Sequence, residues 1–231
     1  MRRSQSLCLA LLFAIALTAC ASDPRRLASA APAFSQRPCA AELPAKDVFC
    51  GTVSVPENYA DAGGRKIALN VVVFPALVPG SEKAAQFDLE GGPGFAVTDS
   101  ASFYASDGAA YRQSRDVVLF DMRGTGGSNP LRCSALEAHA KAQPSAPLYP
   151  PDLVAECARQ LSAVADLRQY TTAAAARDVD AVRQALGYRR IDLNALSYGT
   201  TLALRYIADY PQRVRSAVLT GTAPADKTPP A

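Results

Sequence analysis

The segment Ala195-Leu196-Ser197-Tyr198-Gly199 sets a serine between a short apolar run and an alanine-bearing helical pattern, with a small residue two positions before it and two after. A serine nucleophile on a sharp strand-to-helix turn needs this pattern, because small flanking residues let strand and helix pass closely while the hydroxyl stands clear of both. The chemistry would be acyl transfer through a covalent intermediate. A-x-S-x-G alone is a weak signal in an alanine-rich chain. Ile191 to Asn194 read as strand before it, and a helical pattern from Tyr198 to Tyr210, stopped by Pro211, supports the turn.

Two further loops carry polar or glycine-rich residues at the ends of apolar runs. Glu90-Gly91-Gly92-Pro93-Gly94 follows AQFDL, and its glycines could present backbone N–H groups to a developing oxyanion. Gly92 is the candidate donor from this loop, and Tyr198, the residue after the serine, is the other. Asp121-Met122-Arg123-Gly124-Thr125-Gly126-Gly127-Ser128 follows DVVLF. It lacks the G-K-[ST] of a phosphate loop, and Pro130 blocks an immediate helix, so Asp121 and Arg123 read as braces for the loops beside the site.

These loops need a sheet to hold them. CGTVSVPENY and RKIALNVVVFP flank the glycine-containing turn ADAGG and read as an antiparallel pair. AQFDLE and DVVLFD each end in a glycine-rich loop, the habit of buried parallel strands whose ligand-facing loops follow their C-terminal ends. DLVAECARQLSAVADL repeats apolar residues at a spacing near 3.6, as does TTAAAARDVDAVRQALG, which a threonine at 171 or 172 starts and Gly187 stops. The strands IDLNAL and SAVLTG follow. The alternation predicts an α/β fold with a mostly parallel, doubly wound sheet.

Residues 1–19, with Arg2 and Arg3 before the apolar run Leu7 to Leu17, read as a secretory signal too short to span a bilayer. LTAC at Leu17 to Cys20 resembles a bacterial lipobox, which makes Cys20 a lipidation site and the protein a periplasm-facing membrane lipoprotein. Residues 20–38 are rich in Ala, Ser, Pro and Arg and read as a tether; the domain is expected over 39–231. Removing the signal leaves 212 residues and lowers the net charge from +3 to +1, near enough to neutral to argue against a nucleic-acid surface. Outside signal and lipobox stand Cys39, Cys50, Cys133 and Cys157, an even set that suits an oxidising compartment. Of three possible pairings, Cys39 with Cys50 and Cys133 with Cys157 are favoured, since each closes a short loop outside the apolar strand candidates, at about 3 kcal/mol each. Metal is not expected, because no C-x-x-C spacing occurs and His139 is the chain's one histidine.

Together, the loops G-G-P-G, D-x-R-G-x-G-x-S and the run from YTT through SYGT to the last strand resemble the α/β-hydrolase superfamily, and within it the exported prolyl and tripeptidyl aminopeptidase-like serine peptidases. The likeness covers about Cys39 to Pro224. It implies Ser197 as nucleophile, Gly92 and Tyr198 as oxyanion donors with Gly91, Gly94, Ala195 and Gly199 in support, no cofactor, and a peptide or small ester as substrate. The chain departs from the pattern where Ala195 replaces a glycine, where Glu90 stands in place of an uncharged residue, and where Thr220 replaces an aspartate.

A fourth departure concerns the base. The superfamily order is Ser, then acid, then His, and no histidine follows Ser197. Neither Asp209 nor Asp226 is a persuasive triad acid. His139 is expected on the surface of a polar, proline-containing segment. Loss of the base costs about 10⁶-fold in rate, or roughly 8 kcal/mol of barrier. The expectation is therefore a partial α/β-hydrolase fold without the cap domain and last strands, nearly inert alone and completed by a C-terminal half. The competing expectations are a non-catalytic lipoprotein binding module and a carboxylesterase of the same fold.

Overall fold

Runs of β-branched and aromatic residues whose side chains alternate between faces build most of the sheet. The computed structural model describes residues 32–222, apart from 42, 44–47, 62, 79, 81 and 82. The signal at 1–19, the lipid site at Cys20, the first part of the tether and Asp226 lie outside the described residues.

The elements in chain order are β1 (Phe34–Arg37), β2 (Phe49–Pro56), β3 (Lys66–Phe74), β4 (Ala85–Leu89), α1 (Ala101–Ala105), β5 (Asp116–Phe120), α2 (Ser134–Ala142), α3 (Pro151–Ser162), α4 (Thr172–Ala185), β6 (Ile191–Leu196), α5 (Tyr198–Asp209) and β7 (Val214–Thr220). They form one seven-stranded sheet in the order β1-β2-β3-β5-β4-β6-β7. The first three strands are antiparallel, and β3 meets β5 antiparallel. From β5 through β4 and β6 to β7 all pairs are parallel. The expected hairpin is β2 with β3, and the expected parallel strands are β4 and β5.

The chain crosses the sheet on both faces. Ala175, Ala176, Val179 and Val182 of α4 and Leu202, Ala203 and Tyr206 of α5 pack on Phe87, Leu89, Leu193 and Ala195 in the larger core. Val97, Ala101 and Tyr104 cover Val72, Phe74, Val117 and Leu119 on the other face. Full burial of each large apolar side chain contributes about 1.5–3 kcal/mol. Thr171 caps α4, its hydroxyl accepting the Ala174 N–H at 3.2 Å. Gly187, at φ +76°, ends the turn after it.

The structure corrects four local readings. Strand β1 begins at Phe34, inside the stretch read as tether, because Phe34 to Arg37 pair with Cys50 to Val53 of β2. Cys50 lies within β2 and is buried, not in a loop outside the strands. Helix α3 ends at Ser162 rather than running to Leu167. His139 lies on helix α2 and is half-buried, with Nε2 2.9 Å from the carbonyl oxygen of Pro147. The cysteines pair as expected, Cys39 with Cys50 and Cys133 with Cys157.

Candidate active site

Ser197 occupies the single residue between β6 and α5, with φ 53° and ψ −121°. This positive φ is costly for a side-chain-bearing residue, on the order of 1–3 kcal/mol, and persists only where the surroundings enforce it. Three contacts do so. The Ser197 N–H donates to the carbonyl oxygen of Thr220 at 2.9 Å, tying the turn to the end of β7. The Ser197 carbonyl accepts the backbone N–H and hydroxyl of Thr200 at 2.9 and 2.7 Å. Gly199 is pressed so closely on β4 that a Cβ there would lie 1.9 Å from the Leu89 carbonyl oxygen. Thr220, which stands where the resembled pattern has aspartate, thus acts here through its main chain.

The serine faces the glycine loop. A Cβ built on Gly91 would lie 2.9 Å from the Cβ and 3.4 Å from the Oγ of Ser197, so the loop backbone borders the hydroxyl directly. Ser197 itself is exposed. Gly92 has φ +108° and Gly94 has φ +121°, conformations open to glycine at little cost. Tyr198 is the first residue of α5, so its N–H has no intrahelical acceptor and sits at the positive end of the helix dipole. The Tyr198 hydroxyl is bonded to the Thr172 hydroxyl at 2.8 Å, which joins the starts of α4 and α5. Among the described residues, no group hydrogen-bonds the Ser197 Oγ, and His139 is engaged at Pro147.

A model of the family described as alpha/beta hydrolase fold matches residues 89–231, a span that holds the glycine loop, the strained serine and both flanking strands. The chain belongs to the alpha/beta hydrolase fold family. Relatives of this chain include the tripeptidyl aminopeptidase of Streptomyces lividans, 32% identical over 206 residues that cover 78% of this chain and 36% of the relative. The serine protease Hip1 of Mycobacterium tuberculosis is 28% identical over 195 residues, covering 78% and 37%. A Mycobacterium tuberculosis protein named carboxylesterase B is 36% identical over 152 residues, covering 59% and 28%. The chain thus spans little more than a third of the length of the first two of these relatives.

Asp121 and Arg123 are buried braces. Asp121 Oδ1 accepts the Thr98 N–H at 3.0 Å, and Oδ2 accepts the Gly127 N–H at 2.8 Å, the Asn70 amide at 2.9 Å and the Thr98 hydroxyl at 3.0 Å. One carboxylate therefore fixes the segment after the glycine loop against its own loop. Arg123 donates Nε and Nη2 to both oxygens of Asp178 on α4, each at 2.7 Å, and Nη1 to the carbonyls of Glu57 and Gln169. The Tyr59 hydroxyl also donates to Asp178, at 2.8 Å. Sequence reasoning missed Asp178, although its place three residues after Ala175 and four before Val182 puts it on the inward stripe of α4.

It also missed the group beneath Glu90. Asp88, on the strand that leads into the glycine loop, accepts bonds from the Tyr104 hydroxyl, Asn194 Nδ2 at 2.9 Å and Gln86 Nε2 at 3.0 Å. Burial pushes the Asp88 carboxyl up, while those three bonds oppose the shift. Burial, the charge and hydrogen bond of Asp88 and the charge of Glu90 hold the Tyr104 hydroxyl above the ordinary phenol range. Glu90 is half-buried. Among the described residues, no group of three or more His, Cys, Asp or Glu side chains is placed to hold a metal ion.

Proposed function

We propose that this chain carries the nucleophile and oxyanion-binding part of a serine hydrolase that cleaves peptide amides near a free N-terminus. The observation that carries the reading is the strained, exposed Ser197 at the strand-to-helix turn, its hydroxyl bordered by Gly91. Relatives named tripeptidyl aminopeptidase and serine protease support the peptidase assignment.

In this reading the Ser197 Oγ attacks the scissile carbonyl and its proton passes to a general base. The carbonyl oxygen, now negative, is held by the N–H groups of Gly92 and Tyr198, each worth about 10²–10³-fold in rate. The base then gives its proton to the departing amine, leaving an acyl-serine that water hydrolyses with the same base. The proposal assigns the base and its acid to polypeptide corresponding to the part of the relatives that this chain does not span. It keeps the signal at 1–19, lipid attachment at Cys20 and a periplasm-facing position as parts of the same reading.

An alkyl fluorophosphonate tests it. Stoichiometric labelling of the completed enzyme that vanishes in Ser197→Ala is the expected result; labelling indifferent to that substitution removes Ser197 as nucleophile. The name of carboxylesterase B favours a second reading, ester cleavage by the same parts. Comparing tripeptide anilides with short acyl esters separates the two, because amide turnover well above ester turnover is expected of a peptidase. A protein that binds peptides but never labels is a non-catalytic module. Loss of palmitate incorporation in Cys20→Ala tests the anchor.

A further inference from the structure

A cavity of about 590 Å³ opens beside the glycine loop, bounded by Gly94 to Ala96 on one side and by α2, α3 and the Cys133–Cys157 disulfide on the other. It is within the size range of small-molecule sites. Its walls include Phe95, Leu131, Leu136 and Leu161. None of these four belongs to either hydrophobic core. Helix α2 has no buried residue, and α3 buries Cys157 alone. The two helices, joined by one disulfide, thus present apolar side chains to an open cavity instead of spending them on the core, and Phe95 is left 68% exposed at its edge. Exposed apolar surface concentrated in a concave site marks a place that ligand covers.

One wall of the cavity, Gly94 to Ala96, directly follows the loop that borders the serine. Gly91 borders the Ser197 Oγ, and a Cβ on Gly92 would lie 3.3 Å from the Phe95 backbone nitrogen, so a single tight turn separates the hydroxyl's neighbour from the cavity wall. The lining also holds Asp99 and Thr125, while the charges of Arg132 and Glu137 pair with each other at 2.9 Å.

We propose that this cavity receives an apolar side chain of the substrate whose carbonyl Ser197 attacks, with the disulfide-linked α2–α3 pair as the selecting wall. The substrate class is therefore a peptide bearing a leucine-like residue close to the scissile bond. This rests on the serine-hydrolase reading for its chemistry, but its test needs only binding.

The probes are Ala-Ala-Leu and Ala-Ala-Ser, titrated into the full chain by calorimetry or ligand-observed NMR. The leucine peptide is expected to bind about 10-fold tighter, the discrimination typical of an apolar pocket. Leu161→Trp, which fills the cavity far along the chain from Ser197, is expected to erase that preference, and Leu136→Trp provides a second filling variant should the first fail to keep a native circular dichroism spectrum. Equal affinity for the two peptides, or a leucine preference that survives both native-like tryptophan variants, overturns the proposal. Fluorophosphonate labelling of Ser197 in the completed enzyme keeps the two ideas apart. A leucine preference without labelling sustains the pocket and removes the catalytic reading; labelling without the preference does the reverse.

Discussion

Gly199 sits so tightly against Leu89 that a Cβ on the glycine would lie 1.9 Å from the leucine carbonyl oxygen and 2.9 Å from that of Glu90. Both obstacles are main chain, so neither can swing aside. Helix α5 can start directly over the end of β4 only because residue 199 has no side chain, and that proximity brings Ser197 to the glycine loop. Gly199→Ala is expected to push the helix start away from β4, costing about 1–3 kcal/mol or more of stability and abolishing fluorophosphonate labelling of the completed enzyme. A thermal melt beside the labelling assay checks both effects, and an unchanged melt would contradict the close approach.

The Arg123–Asp178 pair is almost fully enclosed, with side-chain exposures of 2% and 0%. Removing one partner strands the other as an uncompensated charge, so Arg123→Met and Asp178→Leu are each expected to cost about 3–5 kcal/mol, whereas the double replacement should cost much less than their sum. Urea unfolding of the four proteins gives the coupling; strictly additive losses would show that the bridge is not a unit.

Asp121 joins two loops with a single carboxylate. Asp121→Ala leaves the N–H groups of Thr98 and Gly127 without their acceptor, an expected loss of about 2–4 kcal/mol. Since Thr98 closely follows the glycine loop, labelling of Ser197 should slow more in Asp121→Ala than in an equally destabilising core variant such as Val179→Ala. Matched slowing in the two would reduce Asp121 to a purely structural role.

Asp88 gives the fold a pH signature. Burial raises its carboxyl above the ordinary value of 3.8, so its protonated form is the one the fold prefers. The sign follows: the contribution to stability is fully present below the unfolded carboxylate pKa and is lost as pH rises through the raised folded value. Relative to Asp88→Asn, the native protein should therefore lose stability as pH rises above the ordinary carboxylate range of about 4. Paired urea midpoints across that rise measure the difference, and a difference that stays flat or moves the other way contradicts the burial argument.

Local pattern made much of this architecture legible. β-rich runs around a glycine turn gave β2 and β3, short runs ending in glycine-rich loops gave β4 and β5, apolar spacing near 3.6 gave α3 and α4, and a threonine at 171 or 172 with Gly187 marked the limits of α4, because strand propensity, helix faces and caps are short-range consequences of side-chain geometry. Residue type and spacing also brought Ser197, Gly92 and Asp121 forward. Strand β1 escaped notice because four residues, three of them exposed, carry little periodicity without the partner strand that selects them. Helix α2 escaped for a related reason, having an amphipathic face turned toward a cavity and no core residue.

The amino-acid order alone determined most of the elements, the serine's turn and the family they resemble, since each depends on neighbours within a few positions. The tertiary structure alone decided that β4 lies between β5 and β6, that Gly91 meets Ser197, and that Arg123 finds Asp178 across 55 residues. Those outcomes depend on which faces bury each other once the chain has crossed the sheet, and a carboxylate or guanidinium in a linear pattern carries no record of the partner that burial will force upon it.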